Sequence, residues 1–158
     1  VTEAQEVGRD FSALHSAKSK TYIYKLHHSK IPDPFLRRYS WHYEYALQLA
    51  PMREALGYIV GEHDFKSFCQ TGAQVESTVR TIYSVEVEEQ GENDLVIRVC
   101  GNGFLYNMVR IIAGTLLDIG QGKRDPMDIF TILEAKDRSA AGPTAPAHGL
   151  TLVKYEFL

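Results

Sequence analysis

Apolar and polar residues alternate along KTYIYKLHH, residues 20–28, the period-two rhythm of a strand with one face turned to a core. The proline-bearing stretch Ile31–Pro34 interrupts that rhythm before the β-like run LRRYSWHYEY, so residues 20–45 predict a hairpin or a strand pair. The period then lengthens. Pro51 suits a first helical turn, and Met52, Ala55, Leu56, Ile59 and Val60 recur at helical spacing until Gly61, where the helix is expected to stop. VRTIYSVEVEE (79–89) and DLVIRVC (94–100) predict two strands joined at Gln90-Gly91-Glu92-Asn93, whose glycine and asparagine favour a turn. In GNGFLYNMVRIIAGTLLDIG (101–120), Leu105, Met108, Val109, Ile112, Ala113, Leu116 and Leu117 fall on one broad helical face. Asn107, Arg110, Gly114 and Asp118 fall opposite. A short helix from Pro126 to about Lys136, the irregular SAAGPTAPAHG and a strand LTLVKYEF complete the pattern. This order predicts an α+β fold, a mostly antiparallel sheet packed on helices, and 158 residues predict one domain, 1–158.

Charge changes the picture more by its placement than by its total. The formal net charge is -3, yet Arg9, Lys18, Lys20, Lys25, Lys30, Arg37 and Arg38 crowd between residues 9 and 42 against Asp10 and Asp33. His15, His27, His28 and His42 lie among them. Tyr22, Tyr24, Phe35, Tyr39 and Trp41 are interleaved with these bases, the combination by which nucleic-acid surfaces join phosphate attraction to stacking. A solvated basic hairpin edge gives the same composition. Cys69 and Cys100 stand in no metal-ligand spacing and suit free core thiols in a reducing compartment. With no apolar run of roughly 18 residues, no membrane span is expected, and a cytoplasmic protein is.

Few residues offer chemistry. His27-His28 is too tightly spaced on an alternating strand to share an ion, so no metal is expected. Gly120-Gln121-Gly122-Lys123 ends a helix instead of opening one and reads as a cap, not a phosphate loop. No GxSxG elbow is present. Three features remain. Tyr22 on its basic strand can stack on a base or be a half-buried sheet aromatic. Arg110 on the polar strip can pair with a phosphate or buried carboxylate, or be a solvated guanidinium. The loop GPTAPAHGL, residues 142–150, can shape a pocket or merely connect.

SAKSKTYIY, HDFKSFC, VRTIYS, GNGFLYNMVRIIAGTLLDIG and AGPTAPAHGLTL, in this order and over nearly the whole chain, resemble the tRNA pseudouridine synthase A family. The resemblance implies the C-terminal domain of the pseudouridine synthase fold. It implies an isomerase that converts uridine to pseudouridine at positions 38 to 40 of the tRNA anticodon arm, with no metal or organic cofactor. It also implies a homodimer with tRNA as partner. By the same resemblance Tyr22 matches the active-site tyrosine that packs on the target uracil, and Arg110 the residue that ion-pairs with the catalytic aspartate. Leu150 matches the leucine lining the uracil pocket, with Leu152 the other candidate, and Gly101, Asn102 and Gly103 a turn that lets backbone approach the bound nucleotide. A target base that must leave its stack needs such an apolar wall and stacking ring.

The chain departs from the family in one essential respect: it contains no Gly-Arg-Thr-Asp, the motif that carries the nucleophile. Gly8-Arg9-Asp10 lacks the threonine and lies too near Tyr22 to replace it, so Asp10 is set aside. The expectation is a C-terminal portion of a longer synthase, its N-terminal domain absent, inactive without the aspartate. Leu14 stands where the family usually has arginine. Two other readings stay open: an RNA-binding module of the same fold without chemistry, and an interaction domain.

Overall fold

The alternation at residues 20–28 belongs to a longer strand, and that strand organises the sheet. The computed structural model describes residues 4–13 and 16–157. Strand β1 (Ala17–His28) pairs antiparallel with β5 (Asp94–Gly101) along one edge. Its other edge is shared: β6 (Leu150–Phe157) runs antiparallel to Ala17–Tyr24, and β2 (Trp41–Tyr43) runs parallel to Leu26–His28. β4 (Val79–Gln90) joins β5 through the expected turn, and β3 (Gly61–Asp64) pairs antiparallel with β4. Helices α1 (Leu49–Leu56), α2 (Met108–Gly120) and α3 (Asp128–Ala135) complete the fold. The α+β class and the mostly antiparallel sheet hold. Tyr24, Leu26, Leu95, Ile97, Val99, Val85 and Val87 join Met52, Ile111, Ile112 and Leu116 in the core, so the alternating strands turn one apolar row toward the helices.

Several boundaries differ from expectation for identifiable reasons. β2 has three residues and lies parallel to β1, which rules out a hairpin here; residues 33–40 instead close on themselves through Leu36 N–Asp33 O and Tyr39 N–Leu36 O bonds. α1 starts before Pro51 and ends at Leu56, and bonds from Tyr58 N to Ala55 O and Ile59 N to Leu56 O tighten the chain where the helix was expected to continue to Gly61. Ile59 stays fully buried, so the helical spacing recorded burial without a helix. β3, GEHD, has no apolar rhythm to announce it; Gly61 enters it at φ +112°, open to glycine at little cost. α2 opens at Met108 and not on the glycines, because Asn107 sits in the left-handed region at φ 61°. α3 is shorter than the expected 126–136, and Lys136 at φ 49° ends it.

The principal correction concerns the far side of α2. Every residue of its 13 except Arg110 and Asp118 is buried, including Gly114 and Thr115 on the side expected to be polar. The 137–146 segment covers that side. Its backbone lies so close that a Cβ at Gly114 would stand 1.8 Å from the Pro143 carbonyl oxygen. Thr115 Oγ1 accepts a bond from Gly142 N at 3.0 Å while donating to Ile111 O at 2.8 Å. Arginines hold the rest: Arg124 Nη1 donates to Ala140 O at 2.9 Å, and Arg138 Nη2 to Thr144 Oγ1 at 3.0 Å. Apart from short 3₁₀ turns at Arg138–Ala140 and Ala147–Gly149 the segment is irregular, as its composition predicts.

Gly114→Ala tests this contact. Helix propensity favours alanine by about 1 kcal/mol, but the methyl must displace a backbone carbonyl, and overpacking of this kind costs about 1–3 kcal/mol or more. Urea unfolding is expected to show net destabilisation. Gly57→Ala, where the added carbon meets Glu54 O at an ordinary 3.5 Å, is expected to be neutral or stabilising by less than about 1 kcal/mol.

Candidate active site

β1, the β5–α2 connection and the start of β6 border an open pocket of about 280 Å³. Tyr22 forms one wall and Leu150 another; Phe104, Tyr106, Asn107 and the first turn of α2 complete it. Leu150 reaches the pocket because it lies opposite Tyr24 across β1 and β6, which puts it on the face shared with Tyr22. Leu152, opposite Tyr22, is more exposed and does not line it. Tyr22 is half-buried and meets Phe104 edge to face, ring centres 5.2 Å apart. Burial, with a smaller effect from the neighbouring Tyr155 phenol, raises its pKa above the ordinary tyrosine value. At neutral pH Tyr22 therefore presents an aromatic ring and an intact O–H.

Arg110 stands behind this pocket. Its Nε donates to Ala145 O at 2.7 Å, Ala145 N returns a bond to Arg110 O at 3.1 Å, and Nη1 donates to Asn107 Oδ1 at 2.8 Å. Asn107 lines the pocket, so the guanidinium reaches the cavity through one side chain. Among the described residues, no carboxylate lies within ion-pair distance of Arg110. The guanidinium is half-buried, so it is not the solvated surface group that was one reading of the sequence. Tyr24 lies beside it, fully buried, its hydroxyl donating to Pro146 O at 2.7 Å. Burial drives the Tyr24 pKa far upward, and the Arg110 charge offsets a part of that.

The other expected residues sit elsewhere. Asn102 clamps β4 to β5: its N donates to Thr81 O at 3.0 Å and its Oδ1 accepts from Thr81 N at 2.9 Å. Gly103 faces Arg80, and neither residue lines the pocket. The close backbone approach belongs to Gly101, where a Cβ would stand 2.7 Å from Thr81 O. Asp10 is exposed and outside the pocket, and Leu14 lies outside the described residues. Phe104 and Tyr106 entered the sequence reading in no role, and Asn107 only as part of the polar strip. One signal was available for Asn107: asparagine is a residue that tolerates the left-handed conformation directly ahead of an apolar helix. Among the described residues, no three of His, Cys, Asp and Glu gather closely enough to hold a metal, and no helix is long and apolar enough to cross a membrane.

Residues 55–157 match a family model described as tRNA pseudouridine synthase. The tRNA pseudouridine synthase A of Anoxybacillus flavithermus is 51% identical over 152 residues, which are 96% of this chain and 61% of that protein. The protein of the same name from Geobacillus kaustophilus is 54% identical over 155 residues, 96% of this chain and 59% of its own length. That of Bacillus subtilis is 49% identical over 152 residues, again 61% of its length. The chain thus spans about three fifths of these relatives.

The buried phenols carry a pH dependence whose sign is fixed. Burial raises Tyr24, and burial first, then Asp118 and Tyr45, push Tyr43 up to about 12. The folded state therefore keeps protons that unfolded tyrosines release near pH 10, so the stability is complete below pH 10 and is lost as the pH rises through the folded values. Thermal melts between pH 8 and 12 are expected to fall steeply above 10, and Tyr24→Phe and Tyr43→Phe each to flatten that fall.

Proposed function

The chain belongs to the tRNA pseudouridine synthase family, and on that premise we propose that it is the C-terminal, catalytic-fold domain of an isomerase that makes pseudouridine in the anticodon arm of tRNA. The carrying observation is the half-buried Arg110 guanidinium, beside an aromatic pocket and with no carboxylate partner among the described residues. A half-buried cation so placed is suited to an aspartate from the part of the relatives' length that this chain does not span. In that role Arg110 keeps the carboxylate ionised and aimed into the pocket, while the Ala145 carbonyl and Asn107 fix the guanidinium plane.

The flipped uracil stacks on Tyr22 and rests against Leu150, water being displaced by Phe104 and the first turn of α2. With the aspartate as nucleophile or as base, the N1–C1′ bond breaks, the uracil turns within the pocket, and a C5–C1′ bond forms. C5 gives up its proton and N1 regains one, so product and substrate are isomers and no oxidant, reductant or cofactor enters the balance. The Tyr22 hydroxyl, which makes no hydrogen bond among the described residues, is the group suited to receive or relay the C5 proton. The protein is proposed to act in the cytoplasm, as a homodimer on tRNA. A module that binds tRNA without chemistry is the second reading, favoured by the basic, aromatic segment between Arg9 and Trp41.

Tritium release from C5-labelled uridine in tRNA decides between them. Residues 1–158 alone are expected to release none, and the protein joined to an upstream segment bearing the aspartate to turn over. In that protein Tyr22→Phe and Arg110→Ala are expected to lower kcat by about 10²-fold or more. Tight tRNA binding with no release from the joined protein would establish the second reading instead.

A further inference from the structure

The cation-rich, aromatic segment noted in the sequence divides in the structure into two parts, and the pocket uses just one of them. Tyr22 lines the pocket and Tyr24 is buried in the core. The loop of residues 29–40 stands apart. Ile31 is 79% exposed, Phe35 86% and Tyr39 66%, and Lys30, Arg37 and Arg38 are exposed beside them. Large apolar side chains in water contribute nothing to folding, and three within nine residues, on a loop that also exposes three cations, form a patch suited to a partner.

The loop is also rigidly built. Ser29 Oγ donates to Ile31 O at 2.6 Å, Asp33 Oδ1 accepts from Phe35 N at 2.8 Å, and Ser40 N donates to Leu36 O at 3.0 Å. Pro32 and Pro34 fix two more backbone angles. Leu36 and Ser40 turn inward and, with one side of Tyr39, share a small hollow with Lys25 and Val96, so the backbone is anchored while Phe35 and most of Tyr39 stay exposed. A platform held ready in this way binds without the entropy cost of ordering a loop.

Charge selects the partner. Within the loop Lys30, Arg37 and Arg38 outnumber the one acid, Asp33, so its charge is net positive. Two copies meeting at this loop through a twofold axis would bring those cations face to face. A polyanion with unstacked bases satisfies cations and rings together. We propose that residues 30–39 are a second RNA-contact surface, on which Phe35 and Tyr39 stack exposed bases of the tRNA while Lys30, Arg37 and Arg38 hold its phosphates. The inference rests on tRNA as the substrate. Tyr22 and His28 lie six residues apart on β1, roughly 20 Å of strand, so an RNA seated at the pocket meets the loop with a different part of its fold.

The test is tRNA binding by the full-length protein, followed by fluorescence anisotropy across a range of salt. Phe35→Ala and Tyr39→Ala are expected each to weaken binding about fivefold or more. Arg37→Gln and Arg38→Gln are each expected to reduce the slope of log affinity against log salt by about 1. All four side chains are exposed, so melting temperatures should not move, and Phe130→Ala, an exposed ring on α3, should bind as the unsubstituted protein does. Unchanged affinity and slope in all four variants, with the unsubstituted protein binding tRNA, would overturn this surface and leave the proposed function standing. Loss of self-association in the variants with tRNA affinity intact would overturn it in favour of a second copy. No tRNA binding by the unsubstituted protein at low salt would overturn both.

Discussion

The fold around the pocket depends on a contact with no side chain in it: the backbone of residues 142–145 laid against α2 at Gly114, with the Pro143 carbonyl where any Cβ would stand. From that approach follow the paired Arg110–Ala145 backbone and side-chain bonds, the Thr115–Gly142 bond and the placement of Pro146 to accept from Tyr24. Irregular backbone cannot satisfy its own polar groups, so a buried irregular segment must find partners along its whole length. Here Arg110 and Thr115 of α2 supply part of them, on the side that an amphipathic helix would ordinarily give to solvent, and Arg124 beyond its end supplies another. The segment then leads through Gly149, packed against Tyr24 and the Lys25 carbonyl, directly into Leu150 and the pocket wall.

This arrangement gives Arg110 an unusual environment. Its neighbours are carbonyl and amide oxygens, which orient a guanidinium through directed bonds without neutralising it. An arginine on an open surface would be mobile and screened, and one fully ion-paired within the chain would have no charge to lend. Between these limits the guanidinium is positioned, partly desolvated and still electrostatically available, beside a pocket whose walls are aromatic and aliphatic. Burial keeps Tyr22, which lines the pocket, and Tyr24, which lies behind it beside Arg110, protonated at physiological pH.

Much of this was legible in the sequence because it repeats: the strands of β1, β4 and β5 and the apolar face of α2 declare themselves through periodicity. What periodicity could not show is what lies on top. The polar residues of α2 read as a solvent face because Gly114 and Thr115 carry no sign that backbone will cover them, and Ile59 fitted a helical spacing while packing into the core from a turn. β3 was invisible since its pairing with β4, not its composition, makes it a strand. At the site, Tyr22 and Arg110 stood out by their place in the pattern, while their roles, and Leu150, came from family resemblance. Phe104, Tyr106 and Asn107 depend on the course of the connection from β5 into α2, set by one left-handed residue.

The divided edge of β1 bears on how the molecule reaches this state. Ser19 bonds Glu156 across 137 residues of chain, and β2, the nearer partner, covers only Leu26–His28. Such non-local pairing makes closure slow, since the loop entropy must be overcome before the contact repays it. Until residues 150–157 dock, the Ala17–Tyr24 edge offers a row of unpaired amides, with the aromatic wall of the pocket beside it. During that interval the strand that carries Tyr22 is an adhesive edge open to neighbouring chains, so crowding, chaperone access and the rate of synthesis bear on the yield of native protein at this one strand before any other.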